Sequence, residues 1–137
     1  MKIWTIGVKV ADIDRELEFM QGIGGQLIID DRVPFAGRTY RAPLVRLADK
    51  YLHILNSGVY EDALEKPLEP GLMHVVYQVD DIDAATAAAL AAGATQLTVK
   101  RRVSADFGTR DVIALRSPGG MIFEYIQIYE NLVPELP

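Results

Sequence analysis

The residues of this sequence that could do chemistry are two histidines and a glutamate, His53, His74 and Glu124, each within an apolar segment. Imidazole nitrogens and carboxylate oxygens bind divalent metals, and the same groups carry protons in active sites. The chain contains 2 histidines and no cysteine, which excludes disulfides and thiolate ligands. Any metal must therefore be held by histidine, carboxylate or backbone oxygen.

His74 lies on a predicted strand that runs into a capped helix. From Leu72 to Val79, apolar residues alternate with a more polar set that includes His74, the pattern of a strand with two unlike faces. His74 therefore points away from the face that packs on the helix. Asp80 or Asp81 can cap the alanine-rich helix that follows, and Gly93 can supply the left-handed residue that ends it.

The amino-terminal segment has the same organisation. Residues 3–10 alternate as a second strand with two unlike faces, and residues 12–21 have the pattern of an amphipathic helix with an acidic first turn. A shift of 69 positions superimposes the two segments and aligns the following pairs: His74 and Thr5, Val79 and Val10, Asp81 and Asp12, Gly93 and Gly24. The chain is therefore predicted to be an internal duplication.

Each half continues with three further predicted strands, so each is predicted to be a β-α-β-β-β module within a single domain, 1–137. These strands are residues 26–31, 39–47 and 51–56 in the first half and 95–101, 111–116 and 121–128 in the second. Module 1 covers about residues 1–57, a predicted surface linker covers 58–70, module 2 covers about 71–129, and a tail covers 130–137. Because it contains prolines, the end of the chain from Tyr129 should not continue the last strand.

The last strand of each module supplies another pair of equivalent positions. Glu124 lies 71 positions after His53, so the offset between the halves has grown by two residues, which we place in a loop. The duplication thus gives four equivalent sites, at Thr5, His53, His74 and Glu124. Three of them carry side chains that can bind a metal.

Two motifs accompany the paired modules: Val-x-Asp-Ile-Asp follows the first strand of each, and Ser-Pro-Gly-Gly-Met-Ile-Phe-Glu-Tyr surrounds Glu124. Together they resemble the vicinal oxygen chelate superfamily, which includes glyoxalase I, bleomycin-resistance proteins, methylmalonyl-CoA epimerase, fosfomycin-modifying enzymes and type I extradiol dioxygenases. The resemblance covers residues 2–128. It implies an α+β fold in which two βαβββ modules form a cup-shaped mixed sheet, with a divalent metal between the modules.

Carried over position by position, the resemblance implies that His53, His74 and Glu124 are metal ligands and that Glu124 also acts as a catalytic base. His74 and Glu124 match the commonest family residues at their positions, whereas glyoxalase-like members often have Glu or Gln in place of His53. Thr5 departs further, because a hydroxyl is a poor ligand for a transition metal beside imidazole. We therefore expect three protein ligands, at least two open positions and one divalent ion: Fe, Ni, Co, Mn or Zn.

The same residues also have purely structural interpretations. A histidine that faces a cavity is often a hydrogen-bonded structural residue, and Glu124 could be paired with an arginine such as Arg41, Arg110 or Arg116. However, both histidines of the chain fall on positions that the family uses for ligands. This coincidence favours a metal site.

Further residues are candidates for contact with a substrate. Lys9 and Gln78 could meet an anionic or carbonyl-bearing molecule, although such residues are more often solvated strand ends. Tyr51 could supply a phenolic proton for catalysis or simply pack in the wall of the cup. Phe107 lies in a loop that could cap the cup, and we assign Thr5 to substrate binding as well.

Composition sets the broad class of the protein. A chain of 137 residues, half of them hydrophobic, is long enough for one domain with a core. Its net charge of −5 argues against a nucleic-acid partner. Its apolar stretches are too short for a membrane span, and the amino terminus lacks the features of a signal peptide. We therefore expect a cytoplasmic protein with no membrane partner and, as for many relatives, a homodimer.

The resemblance implies three alternative functions. The leading one is a metal-dependent lyase or isomerase of the glyoxalase or epimerase type, in which the metal chelates two adjacent oxygens of a small molecule and stabilises an enolate or oxyanion. The second is an Fe(II) ring-cleaving dioxygenase, which the ligand set favours. The resemblance implies that such enzymes use an additional histidine beside the ligands, and this chain has no third histidine. The third is a metal-free protein that binds a drug or natural product, against which the two histidines count.

Overall fold

The protein consists of one curled mixed sheet and two helices in the computed structural model, which describes residues 1–136. The first half contains β1 Lys2–Lys9, α1 Ile13–Gly22, β2 Gln26–Phe35, β3 Arg38–Leu47 and β4 Lys50–Leu55. The second half contains β5 Gly71–Gln78, α2 Ile82–Ala91, β6 Thr95–Gln96, β7 Arg101–Ala105, β8 Gly108–Arg116 and β9 Ile122–Asn131. A 3₁₀ turn, Glu61–Ala63, lies between the halves.

The ends of both helices are determined by residues that the sequence repeats. Asp12 and Asp81 each accept a hydrogen bond from the backbone N–H three residues ahead, at 3.1 and 3.0 Å, which satisfies a free donor of the first turn. Gly24 and Gly93 have φ angles of +104° and +108°, the left-handed conformation that ends a helix. Asp81, and not Asp80, is therefore the cap of α2.

The two modules meet at the centre of the sheet. The strand order is β2-β3-β4-β1-β5-β9-β8-β6, and β7 pairs with β8. Strand β1 is parallel to β4 and β5 is parallel to β9, so the halves have equivalent topology, while β1 and β5 are antiparallel to each other. The predicted α+β fold with two βαβββ modules is thus confirmed, and the four predicted site positions lie on adjacent strands.

The sheet curls into a half-barrel whose two ends contact each other. Asp31 on β2 accepts hydrogen bonds from the backbone N–H groups of Asp106 and Phe107, both at 3.1 Å, in the turn between β7 and β8. The guanidinium of Arg101 lies 5.6 Å from the centre of the Phe35 ring. These contacts join β2, at one edge of the sheet, to the β7–β8 hairpin at the other end.

Several strand boundaries differ from the sequence expectation. Strand β2 continues through Pro34, where we expected a turn, because proline removes no ladder hydrogen bond on the open side of an edge strand. The single strand expected over residues 95–101 is divided into β6 and β7. Strand β9 continues past Tyr129 to Asn131, which pairs with Gly108, so the last strand is two residues longer than the assigned module. Pro137 of the assigned tail lies outside the described residues.

The helices pack on the sheet through small apolar clusters. Helix α1 is amphipathic, as its pattern predicts, and buries Ile13, Leu17 and Met20 against Val45 and Ile54. The shorter alanine side chains of α2 are only partly covered, and Ile82 is its buried residue.

Neither helix in residues 1–136 has both the length and the apolar character of a membrane span.

Candidate active site

Gly7 is the point around which the two histidines are placed. On β1, Gly7 pairs in register with His53 on β4 and with His74 on β5. A Cβ atom at Gly7 would lie 2.5 Å from Cε1 and Nε2 of the His74 ring. The imidazole of His74 therefore lies over the backbone of β1, in space that only a glycine leaves free.

Both ring nitrogens of His74 contact polar side chains. Its Nε2 is 3.0 Å from Oε2 of Glu124 on β9, and its Nδ1 is 2.7 Å from the hydroxyl of Tyr60. All three side chains are buried, and Tyr60 is only 1% exposed. Tyr60, His74 and Glu124 thus form a continuous row of polar contacts in the interior, one a hydrogen bond and the other an ion-pair contact.

The environment of the Tyr60 phenol determines whether it keeps its proton. Burial, with the nearby carboxylates of Glu124 and Glu61, raises the pKa of Tyr60 well above its ordinary range. The phenol therefore keeps its proton, and its hydroxyl shares a hydrogen bond with Nδ1 of His74. When Nδ1 accepts from the phenol, Nε2 is the ring nitrogen that carries a proton, and it faces Oε2 of Glu124. In that tautomer of His74, Glu124 is the acceptor at the end of the row.

His53 has a more apolar environment. Its Nε2 is buried and has no hydrogen-bond partner within residues 1–136. Its ring lies against Trp4 and Phe107, with centroid distances of 5.6 and 6.2 Å. Burial, together with the positive charge of Arg110 and the neighbouring His74, lowers the pKa of His53 to about 3. At neutral pH, His53 is therefore a neutral imidazole with an unused nitrogen.

Arg110 on β8 is a buried cation at the same site. It is 1% exposed, and its Nη2 donates a hydrogen bond of 3.1 Å to the carbonyl oxygen of Phe107. Its guanidinium carbon lies 3.7 Å from the centre of the Phe107 ring and 4.3 Å from that of Trp4. These cation–π contacts offset part of the cost of burial. Burial lowers the pKa of Arg110 to about 10, so the group is still charged at neutral pH.

These groups line one cavity with an interior volume of about 80 Å³. Its histidine, arginine and carboxylate lining residues are His53, His74, Arg110 and Glu124, and most of the remaining wall is apolar or aromatic. A mostly apolar cavity with a few convergent polar groups is the usual form of a small-molecule site. The volume suits a small organic group, since one water molecule needs roughly 10–15 Å³ on the same measure.

The three predicted metal ligands all line this cavity, but they do not surround a common point. Within residues 1–136, no group of three or more His, Cys, Asp or Glu side chains is arranged to hold a metal ion. His74 and Glu124 are instead bonded to each other. Two imidazoles and one carboxylate are donor types that suit a divalent transition metal, and the unpartnered Nε2 of His53 could be one donor. The donor set therefore fits such an ion chemically, provided that the ion replaces the bond between His74 and Glu124.

The other predicted site residues lie in different places. The Thr5 hydroxyl is fully buried and donates to the carbonyl oxygen of Tyr51, at 3.0 Å. The Tyr51 hydroxyl in turn donates to the carbonyl oxygen of Pro134 in the tail. Neither Thr5 nor Tyr51 is among the residues that line the cavity, whereas Phe107 is.

Lys9 and Gln78 lie at opposite ends of the central strand pair. Because β1 and β5 are antiparallel, Gln78 pairs with Lys2 at the beginning of β1, while Lys9 ends that strand. Lys9 forms an ion pair with Glu61 at 2.8 Å. Neither Lys9 nor Gln78 lines the cavity that contains the histidines.

Sequence reasoning missed two residues of the site, Tyr60 and Arg110. Tyr60 lies in the segment predicted to be a surface linker, which has no periodic pattern to indicate burial. Arg110 was considered only as an ion-pair partner of Glu124, but Glu124 is bonded to His74. One sequence signal was available, because the strand period places Arg110 on the same face as Val112 and Ala114.

Comparisons with known proteins identify the fold but no sequence family. No family model matches the chain, and no curated protein sequence matches it significantly. Among solved structures, a variant of Streptomyces coelicolor methylmalonyl-CoA epimerase, in complex with 2-nitronate-propionyl-CoA, is similar with a TM-score of 0.69 and 19% sequence identity. The alignment covers 95% of this chain and 99% of the epimerase.

Two further structures show the same likeness. Methylmalonyl-CoA epimerase from Mycobacterium tuberculosis has a TM-score of 0.68 and 19% identity, with 93% of this chain and 88% of that chain covered. A hypothetical protein from Bacillus halodurans C-125 has a TM-score of 0.68 and 16% identity, with 95% and 96% covered. The chain therefore has the fold of these epimerases.

Proposed function

We propose that this protein is an isomerase or epimerase that removes and returns a proton on a carbon next to a carbonyl group. Its substrate would be a small molecule with adjacent oxygen atoms. The observation that carries the proposal is the buried row of Tyr60, His74 and Glu124, which ends at a mostly apolar cavity. The named structural neighbours, methylmalonyl-CoA epimerases, support the same reaction class.

Glu124 is the proposed catalytic base. When it takes the proton, the C–H bond breaks, an O–H bond forms on the carboxylate, and the electron pair moves into the carbonyl group to give an enolate. Return of the proton to the opposite face of the same carbon completes an epimerisation, and its delivery to another atom of the enolate completes an isomerisation. Without metal, Nε2 of His74 lies 3.0 Å from Oε2 of Glu124, and Tyr60 fixes the orientation of His74 through Nδ1. With the ion bound, Nε2 of His74 would face the ion in place of Glu124.

One divalent metal ion, of the Fe, Ni, Co, Mn or Zn type, is part of the proposal. His53, His74 and Glu124 would hold it, and it would supply Lewis-acid stabilisation of the enolate oxygen. Metal analysis of protein purified without chelator tests this point. We expect about one ion per chain and its loss in His74→Ala. Metal-free protein that still catalyses hydrogen–deuterium exchange at the carbon next to the carbonyl would contradict a role for the metal.

We also propose that the chain acts in the cytoplasm as a single domain with two modules, in a homodimer. Phe19 and Ile23, at the end of α1, are more than half exposed and support an apolar contact between subunits. Light scattering after size-exclusion chromatography tests the dimer. A monomer at micromolar concentration would contradict it.

Deuterium exchange tests the proposed reaction directly. Methylmalonyl-CoA, the substrate that a neighbour's complex contains, and 2-oxobutanoate would be incubated in D₂O with the metal-supplemented protein. Incorporation at the carbon next to the carbonyl would be followed by NMR and mass spectrometry. We expect wild-type protein to accelerate exchange and Glu124→Gln to lose roughly 10² to 10⁴-fold of the rate.

Positioning by Tyr60 is tested in the same assay. Tyr60→Phe removes the hydrogen bond to Nδ1 of His74, so we expect a lower rate and a changed histidine tautomer signal in ¹⁵N NMR. Tyr129→Phe is the matched control, since it loses a hydroxyl bond to Asp111 away from the cavity. Absence of exchange on both substrates, with oxygen uptake on catechols instead, would replace this proposal by the dioxygenase.

A further inference from the structure

Arg110 is a buried arginine whose N–H groups are only partly used. Its Nη2 donates to the carbonyl oxygen of Phe107, but Nε and Nη1 have no hydrogen-bond partner within residues 1–136. Contacts with aromatic rings act on the faces of the guanidinium and do not satisfy N–H donors in its plane. A charged group buried in this way is costly unless another group pairs with it.

The nearby carboxylates of the protein are engaged elsewhere. Glu124 lines the same cavity, but its Oε2 is bonded to His74. Asp31 acts on Arg110 electrostatically, yet its oxygens accept the backbone N–H groups of Arg32, Asp106 and Phe107. The cavity therefore contains a cation with free donors and a mostly apolar wall.

We propose that Arg110 binds a carboxylate group of the substrate and thereby selects small carboxylic acids. This inference rests on the proposed function, because it names the substrate class of the same cavity. The guanidinium is suited to carboxylates, since its planar N–H groups match the two oxygens. A carboxylate beside a keto group also supplies the adjacent oxygens that the proposed reaction requires.

The dimensions and charge of the cavity favour a carboxylate over a phosphate. The volume of about 80 Å³ leaves room for a small acid. Arg110 is the one arginine or lysine among the lining residues within the described chain, and the carboxylate of Glu124 faces the same space. One arginine balances the single charge of a carboxylate, whereas a phosphate dianion would keep an unbalanced charge beside Glu124.

Two probes of nearly equal shape test the inference. In 2-oxobutanoate the keto group adjoins a carboxylate, and in 2,3-pentanedione a neutral acetyl group replaces that carboxylate. Their dissociation constants would be measured by NMR titration of wild-type protein, Arg110→Met and Arg110→Lys, with inorganic phosphate as a third probe. Arg38→Met is the matched control, because it removes the same charge from an exposed ion pair with Asp62.

We expect wild-type protein to bind 2-oxobutanoate more tightly than 2,3-pentanedione or phosphate. Arg110→Met should weaken 2-oxobutanoate binding by about 30-fold or more and leave 2,3-pentanedione binding unchanged. Arg110→Lys should lie between, and Arg38→Met should match wild-type protein. If Arg110→Met does not fold, the comparison of the three probes on wild-type protein decides.

Equal binding of the two organic probes by wild-type protein, no binding of 2-oxobutanoate, or tighter binding of phosphate would overturn the inference. So would an Arg110→Met protein that binds 2-oxobutanoate normally. The titrations need no turnover, so their outcome is separate from that of the exchange assay. Selective binding without exchange would refute the proposed function alone, and exchange without selective binding would refute the role of Arg110 alone.

Discussion

At the scale of single residues, Gly7 allows the arrangement of the site. It pairs in register with both histidines, and the ring of His74 occupies the space where a side chain of β1 would lie. Its backbone is not in the left-handed region, so the requirement for glycine is one of space. The position of His74 therefore depends on the absence of a Cβ atom at Gly7 on the neighbouring strand β1.

Gly7→Ala should displace the imidazole from Glu124. The new Cβ would lie 2.5 Å from the ring, and overpacking of this kind costs about 1 to 3 kcal/mol of unfolding free energy. Urea denaturation measures the stability, and ¹⁵N NMR of the histidine side chains reports the lost hydrogen bond. Gly22→Ala is the control, because a Cβ there meets nothing within 4 Å. An unchanged His74 signal in Gly7→Ala would contradict this view.

His53 should make the metal-free protein sensitive to acid. Its pKa is about 3 in the folded protein and about 6.5 in an unfolded chain. Between these values the unfolded chain binds a proton that the folded protein does not, so stability falls as the pH falls. Protonation in the folded state is opposed by burial, by Arg110 and by the neighbouring His74.

The expected effect is a steeper loss of stability in wild-type protein than in His53→Gln. Between about pH 6 and pH 4, the difference between the two unfolding free energies should change by up to about 1.4 kcal/mol per pH unit. Urea denaturation at several pH values, with chelator present, measures it. Parallel pH profiles would show that His53 is protonated as easily in the folded protein as in the unfolded chain.

At the scale of elements, the segment between the modules supplies part of the site. Tyr60 precedes the 3₁₀ turn Glu61–Ala63. Both carboxylate oxygens of Glu61 accept hydrogen bonds from Nζ of Lys9, at 2.8 and 3.0 Å. The two side chains are only 12% and 10% exposed. This ion pair fixes the turn to the end of β1, and the turn places the phenol against His74.

Glu61→Gln should loosen this turn and weaken the link to His74. Removing one partner leaves the charge of Lys9 poorly solvated, and we expect a loss of about 2 to 4 kcal/mol. Hydrogen exchange should accelerate at the amides of Ala63 and Leu64, which are bonded within the turn. Asp62→Asn is the control, because its ion pair with Arg38 is exposed. Equal exchange rates in both variants would argue against an anchoring role.

At the scale of the whole molecule, the curl of the sheet brings Arg110 and the histidines into one cavity. Asp31 joins β2 to the turn before β8 through the N–H groups of Asp106 and Phe107. Phe107 in turn covers Arg110 and contacts His53. The hydrogen bonds that hold the half-barrel together therefore also hold the wall of the site in place.

Asp31→Ala should open this end of the half-barrel. Three buried or partly buried backbone N–H bonds are lost, and we expect a destabilisation of about 3 kcal/mol or more. Trp4, the single tryptophan of the chain, lies against Phe107 and should report the change by fluorescence. Asp30→Ala, which removes a partly exposed carboxylate from side-chain ion pairs, should cost at most about 1 kcal/mol. Equal losses would contradict the role given to Asp31.

The sequence by itself determined the two modules, the glycines that end their helices and the placement of three site residues, and it left the cap of α2 open between Asp80 and Asp81. These features depend on local period and on short-range hydrogen bonds, which the order of residues specifies directly. The duplication then placed His53, His74 and Glu124 at equivalent positions, and the structure brings all three to one cavity. Their assignment as metal ligands is still a prediction.

Only the tertiary structure decided which polar groups of the site are paired. Partners such as Tyr60 for His74, or the absence of a partner for two nitrogens of Arg110, depend on contacts between segments far apart in the chain. The antiparallel pairing of β1 with β5 likewise separates Lys9 from Gln78. A strand pattern specifies which face a residue occupies, but the curl of the sheet determines what that face meets.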